Sequence, residues 1–314
     1  VFTPERLTPI VRKYVPQFVT CETSLDEADL TFFSTFPEFG VRLHNVCLKN
    51  PMPGSPSDTL ANVDNLTATI DVWQFLANDA LVVNAVILDG GYANIYTDSL
   101  GQTNYDIVVA SDDEPDTTTT ALPFDLLNIH AVKIANLRVR YTDDQNRMHA
   151  AIDDVQAQIG GNYADTDMMA DVSLQLQNVL FATDDTARLE VQVPHVALRT
   201  KAALTGNDVQ ASVAIDLQSL DCAIAGDQML TQADISATVP LTANLDTMLA
   251  NVRKAELVLA DHKITLDGWA QMRDTNIVMD VDFATDEWQI EKVISLIPAA
   301  YADLLVASLA GRVA

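Results

Sequence analysis

Thr31 to Leu48, TFFSTFPEFGVRLHNVCL, reads as an extended strand, a corner at Phe36-Pro37, and a second strand with apolar positions Val41, Leu43, Val46 and Leu48. Proline has no N–H to give a sheet ladder, so Pro37 marks a corner and not a strand interior. Outward from this stretch the chain keeps a period of two. Leu66, Ala68, Ile70 and Val72 alternate with Thr67, Thr69 and Asp71, and Leu189, Val191 and Val193 alternate with Arg188, Glu190 and Gln192. Val209 to Leu217 and Ile277 to Phe283 repeat the pattern. Such alternation gives a strand one apolar and one wet face. Turn signals follow at short intervals: Asp89-Gly90-Gly91, Asp98 to Gly101, Asp143 to Asn146, Gly160-Gly161-Asn162, Gly206-Asn207-Asp208 and Arg273 to Asn276. Short connections favour antiparallel meanders over crossover helices.

Helical spacing is confined to the two ends. Leu7, Ile10, Val11, Tyr14, Val15 and Phe18 form one apolar stripe, with entry signals at Thr3-Pro4 or Thr8-Pro9 and Pro16 as a stop. Only Arg6, Arg12 and Lys13 accompany the stripe, so packing against the sheet is expected over lying on a membrane. Helical spacing returns over 287–310 and is broken at Pro298. No window there reaches the roughly 20 clean apolar residues of a spanning helix.

The 314 residues carry 18 Lys+Arg against 44 Asp+Glu, a formal net charge of −26. That balance opposes binding to nucleic acid or to an anionic lipid surface through a basic patch. The acids are dispersed, as on a solvated outer face. Ser111 to Thr120, SDDEPDTTTT, is an acidic linker without apolar residues. The expected organisation is an N-terminal module (1–110), this loop (111–120), and a continuing strand series (121–314) that includes the helical segment 287–310.

No constellation carries chemistry. His44, His130, His149, His195 and His262 lie far apart without metal-ligand spacing, and no nucleophile elbow or phosphate-binding loop is present. Asp112-Asp113, Asp143-Asp144, Asp153-Asp154 and Asp184-Asp185 fall mostly in turns and do not match a calcium loop. Cys21, Cys47 and Cys222 cannot all pair within one chain; Cys21–Cys47 pairing and small buried thiols both remain open. The expectation is no catalytic residue, no metal and no cofactor.

With the amphipathic segment before it and GQTNYDI (Gly101 to Ile107) after it, the opening stretch resembles the N-terminal part of AsmA-like proteins, well over residues 3 to 160 and beyond them through the strand pattern. The matching positions are Ser34, Pro37 and Gly40, Leu60 to Val72, Phe75-Leu76, Gly101, Asn104 and Asp106, and Leu137 to Asp143. The resemblance implies an envelope protein of Gram-negative bacteria, related to chorein-type bridge-like lipid-transfer proteins. It also implies one N-terminal anchor preceding Val1, on the periplasmic face of the inner membrane. The implied role is phospholipid transport or outer-membrane assembly, with the matching residues architectural. These proteins are usually much longer, so this chain is expected to hold the first part of a groove.

The fold expected is mainly β: a long, curved, largely antiparallel sheet forming an open groove, with an N-terminal amphipathic helix and short C-terminal helices. The implied partners are phospholipid or another acyl-chain lipid, the membrane through the anchor, and an envelope protein. The expected lining positions are Leu66, Ile70, Val72, Val82, Val86, Leu88, Leu137, Val139, Val213, Ile215, Val281 and Phe283. Alternation fixes the phase of each strand but not which face meets a ligand, so a filled core is the competing expectation. A second function class is a scaffold whose sheet edge takes a partner's strand.

Overall fold

The computed structural model describes residues 4–14, 19–31, 39–70, 83–107, 131–164, 167–186, 188–259, 262–273 and 276–285. Among them are one helix, α1 (Pro4–Tyr14), and fourteen strands. These are β1 (Thr23–Ser24), β2 (Glu27–Thr31), β3 (Phe39–Lys49), β4 (Thr59–Ile70), β5 (Val83–Thr97), β6 (Ala131–Asp143), β7 (Met148–Ala164), β8 (Asp167–Thr183), β9 (Leu189–Thr205), β10 (Asp208–Ile224), β11 (Asp227–Asn244), β12 (Leu249–Leu259), β13 (His262–Arg273) and β14 (Asn276–Thr285). The sheet is open and mostly antiparallel, in the order β1-β3-β4 and then sequentially to β14, with β2 also pairing β3. Five strands reach 17 or 18 residues, well beyond the usual length of about 3–10. The chain divides into two compact units, Val1–Gly161 and Asn162–Ala314.

In the first unit, α1 begins at Pro4, where a missing N–H costs nothing, and places Glu5 in its first turn. It starts one turn before the expected apolar stripe and contains Pro9, so Thr8-Pro9 is not the entry. The hydroxyl of the buried Thr8 accepts the N–H of Ala28 at 2.9 Å, and Arg12 donates to the carbonyls of Leu25 (2.8 Å) and Asp26 (3.0 Å). The helix thus packs on β2. Beside it, Cys21, Leu60 and Ile107 form a small core that includes Val19, Leu48, Ala61 and Ile95. No helix among the described residues is long and apolar enough to cross a membrane.

Two turn signals prove to be strand residues. Gly90 and Gly91 lie inside β5 and Gly160-Gly161-Asn162 inside β7. At Gly91 the backbone has φ 119° and a side chain would run into the carbonyl of Asn62 on β4, so glycine serves close strand approach instead of a hairpin. The pairing of β5 with β6 also departs from a pure meander: it is parallel, from Ala85 opposite Ala131 to Thr97 opposite Asp143. Parallel neighbours need a crossover of about a dozen residues or more, and residues 98–130 separate these two strands.

The second unit is antiparallel throughout its described pairs. β9 and β10 join through Gly206-Asn207, as the sequence predicts. β10 and β11 join through Ala225-Gly226, both with positive φ (53° and 86°). That backbone matches the twist of the flanking strands. The Phe36-Pro37 corner, the 111–120 loop and the 287–310 helical segment lie outside the described residues.

Candidate functional site

Cross-strand register gathers the apolar residues of each unit onto one face. In the first unit Leu43, Leu66, Leu88, Ile134 and Ala157 are successive partners across five strands, and Val41, Ala68, Val86, Val132 and Ile159 form the next row. In the second unit Leu174, Leu198, Ile215, Ala237, Leu257 and Ile264 span β8 to β13, beside Val172, Thr200, Val213 and Val239. No Asp, Glu, Lys or Arg enters these rows. Most of these side chains are half-buried, held by lateral neighbours. Each such cross-strand apolar pair contributes about 0.2–1 kcal/mol.

In several strands the alternation moves by one residue near the middle: Val41 and Leu43 give way to Val46 and Leu48, Leu174 and Leu176 to Val179 and Phe181, Val213 to Leu217 to Leu220 and Cys222. Left-handed residues sit at these slips: Asn45 (φ 51°), Gly90 (78°), Asn136 (56°), Asn178 (52°), Ser219 (55°), Gln232 (47°) and Lys254 (53°). At Asn136, Ser219, Gln232 and Lys254 the register also shifts, marking β-bulges that bend the strand. Left-handed backbone costs an ordinary residue roughly 1–2 kcal/mol, so each kink needs support. Aspartates on neighbouring segments give it. Asp234 accepts Ser219 N–H at 2.9 Å, Asp221 accepts Gln232 N–H at 3.0 Å, and Asp267 accepts Lys254 N–H at 3.0 Å. Asn45 and Asn136 donate through their side chains to Asp26 and Asp89, both at 2.7 Å.

The bends place a buried apolar residue directly after the left-handed one. Val46 follows Asn45, Leu220 follows Ser219, Ala233 follows Gln232 and Ala255 follows Lys254, and all four are buried, Ala255 to 1% exposure. The slip in the apolar pattern was the available signal for them; neither composition nor motif names the kink residue.

One end of the first unit is closed by polar bonds. Asn104 is fully buried (0%). Its Nδ2 donates to Asn94 O (2.9 Å), its Oδ1 accepts Tyr96 N–H (2.8 Å), and its own N–H donates to Tyr96 O (3.0 Å). Its carboxamide replaces a strand partner for β5. Asp98 Oδ1 accepts the N–H groups of Leu100 and Gln102, each at 2.8 Å, and shapes the turn around Gly101. The hydrogen bond from Tyr96 to Asp144 (2.6 Å) is the main cause raising the phenol above the ordinary tyrosine value. Burial, then the bond to Asp143, raises Tyr141. Donors from the side chain and backbone of Asn146, with Tyr141 also contributing, hold Asp143 below the ordinary aspartate value. Burial raises the free thiol of Cys21; Cys47 and Cys222 are free as well.

Leu66, Val86, Leu88, Leu137 and Val139 lie on the apolar face of the first unit, with Leu66 opposite Leu88, Leu137 opposite Gly91 and Val139 opposite Ala93. Ile70 ends β4 opposite Val83. Val213, Ile215, Val281 and Phe283 lie on the apolar face of the second unit; Val281 (50%) and Phe283 (74%) are exposed on β14. Val72 and Val82 fall outside the described residues. His44 meets Asp29 at 3.3 Å and His195 meets Gln177 at 2.9 Å, side chain to side chain within the sheet. Among the described residues no group of three or more His, Cys, Asp or Glu could hold a metal ion.

Compared with known proteins, residues 1–293 match the family model described as AsmA family. No curated protein and no solved structure matches the chain.

Proposed function

The chain belongs to the AsmA family, whose members are generally non-enzymatic lipid-transport or envelope-assembly proteins of bacteria, and from that premise we propose that its apolar sheet faces hold the acyl chains of phospholipid. The protein then carries or shields lipid between the inner and outer membranes and supports outer-membrane homeostasis, from the periplasmic face of the inner membrane. Leu66, Ile70, Val72, Val82, Val86, Leu88, Leu137, Val139, Val213, Ile215, Val281 and Phe283 are the proposed lining. The observation that carries this reading is a wide face without charges whose side chains stay half-exposed. An acyl chain laid on it gains about 0.8 kcal/mol per buried methylene and asks for no polar recognition. Phospholipid, with no cofactor, is the proposed ligand.

A second reading, a scaffold that takes a partner strand, is favoured by one observation: on β14 the alternate residues Ile277, Met279, Val281 and Phe283 are all exposed. Native mass spectrometry with lipid extraction separates the two. Under the lipid reading the purified chain retains phospholipid at a reproducible stoichiometry, and Val281→Asp and Ile215→Asp lower retention several-fold while circular dichroism stays that of a β protein. A folded chain that never retains lipid, yet captures an extended peptide, overturns it in favour of the scaffold.

A further inference from the structure

We infer that one end of the second unit's strands is the edge over which acyl chains reach its apolar face, and that this edge rests on a lipid bilayer; the passage of lipid rests on the acyl-chain reading above. The apolar rows do not stop at Val172 and Val213. Two rows nearer the strand ends, direct partners run from Met168 on β8 through Val209 on β10 and Ala250 on β12 to Met279 on β14, and every residue of that row is apolar. Beyond it stand Leu245 and Met248 in the turn between β11 and β12, and Met272 of β13 opposite Ile277 of β14. Met272 N–H donates to Met248 O at 3.1 Å, which ties that turn to the end of β13.

These six side chains, Met168, Leu245, Met248, Met272, Ile277 and Met279, are between 39% and 62% exposed. Over β8 to β11 the opposite strand ends differ. There the last apolar partners, Phe181, Val191, Cys222 and Leu230, are half-buried, with Leu180 and Ile224 exposed beside them. Four of the six edge residues are methionines. An unbranched, polarizable thioether repacks against a partner without fixed shape, and a fluid bilayer is such a partner. A contiguous exposed apolar edge on an otherwise charged surface marks a contact site. The polar side chains described at this end are amides, threonines and the carboxylates Asp167, Asp208 and Asp246, with no Lys or Arg among them; Arg273 lies outside the described side chains. Attraction to anionic lipid is therefore not what holds the edge in place; burial of apolar surface is. A second copy of the chain fits less well, because two such edges would set Asp208 and Asp246 against their counterparts on chains of net charge −26.

The native methionines report the contact. The full chain is oxidised briefly with hydrogen peroxide, with and without vesicles of phosphatidylcholine, and each methionine is quantified by mass spectrometry. Vesicles should protect Met168, Met248, Met272 and Met279 several-fold and leave Met52, Met148 and Met229, half-buried elsewhere, unchanged. Protection should persist at an ionic strength giving a Debye length of about 3 Å, since it comes from apolar burial. Leu245→Gln with Met248→Asn should lower flotation with the same vesicles several-fold. Both positions are in an exposed turn, and asparagine accepts the left-handed backbone of Met248 (φ 49°). The oxidation map of the native chain decides the matter even if that variant misfolds. Equal oxidation with and without vesicles overturns the contact, and phospholipid extracted from the same chain would leave the acyl-chain reading standing. Protection that appears without vesicles and grows with protein concentration overturns the contact in favour of a second copy. Protection by vesicles in a chain that retains no lipid on re-isolation supports the contact and overturns the acyl-chain reading.

Discussion

The two units solve one problem by different means. Each must present an apolar face without closing the sheet upon itself. In the first unit the β5–β6 pair is parallel, and residues 98–107 close the strand ends through Asn104, Asp98 and the Tyr96–Asp144 bond. Among the described residues the second unit pairs its strands antiparallel throughout, and its buried apolar residues Val193, Leu220, Ala233 and Ala255 lie along the kinks. The first thus adds a buried polar network, which is costly to disturb, to an apolar core around Cys21, Leu60 and Ile107. The second draws its order from ladder bonds and from lateral apolar contacts, which are individually small.

The comparison breaks most readily at Asn104. Asn104→Leu leaves Tyr96 N–H and Asn94 C=O without their partners in a buried site. An unsatisfied group costs about 1–3 kcal/mol, so a loss of roughly 2–5 kcal/mol is expected. Hydrogen exchange followed along the chain should show faster opening in β4 to β6 with β9 to β12 unchanged. Uniform loosening of both units would show that they do not order independently.

Acid sharpens the same contrast. Asp143 is held below the ordinary aspartate value, so its contribution to stability is present above that value and is lost as pH falls through the lowered one. The first unit should therefore weaken as pH falls below about 4, and Asp143→Asn should flatten that part of its melting profile. An unchanged acid profile in the variant would remove Asp143 from the account.

The smallest effect is expected in the second unit. Gln232 adopts φ 47° and its N–H, not its side chain, meets Asp221. Gln232→Gly removes left-handed strain while adding chain entropy to the unfolded state, for a net gain of about 0.5 kcal/mol. Thermal melting should rise by a few degrees at most. A fall in melting temperature would mean that the side chain itself supports the kink.

Much of the fold is legible in the chain. The alternation at Val209 to Leu217 and Ile277 to Phe283 gives β10 and β14, and the hairpin at Gly206-Asn207 stands where the turn signal is. The kinks were visible too, in the step from Leu43 to Val46 and from Leu217 to Leu220, but only as a slipped phase. Gly90-Gly91 misleads because hairpins and close strand approach ask the same thing of glycine. The Ala225-Gly226 hairpin is faint because alanine rarely accepts positive φ. Of the proposed lining, strand phase places Leu66 and Leu88, or Val213 and Ile215, on a face of their own strands; that they stand beside one another comes from register.

Sequence alone determined the class of the molecule: alternation sets a one-faced strand, the −26 charge opposes a basic binding surface, and Thr31 to Ile107 carries the family. Tertiary structure alone decided the parallel β5–β6 pair, the burial of Asn104 and the alignment of kinks with neighbouring aspartates. The reason is range. Periodicity and turn chemistry act over a few residues and are written locally, whereas a cross-strand partner or the group that satisfies a kinked amide is fixed only when distant segments pair.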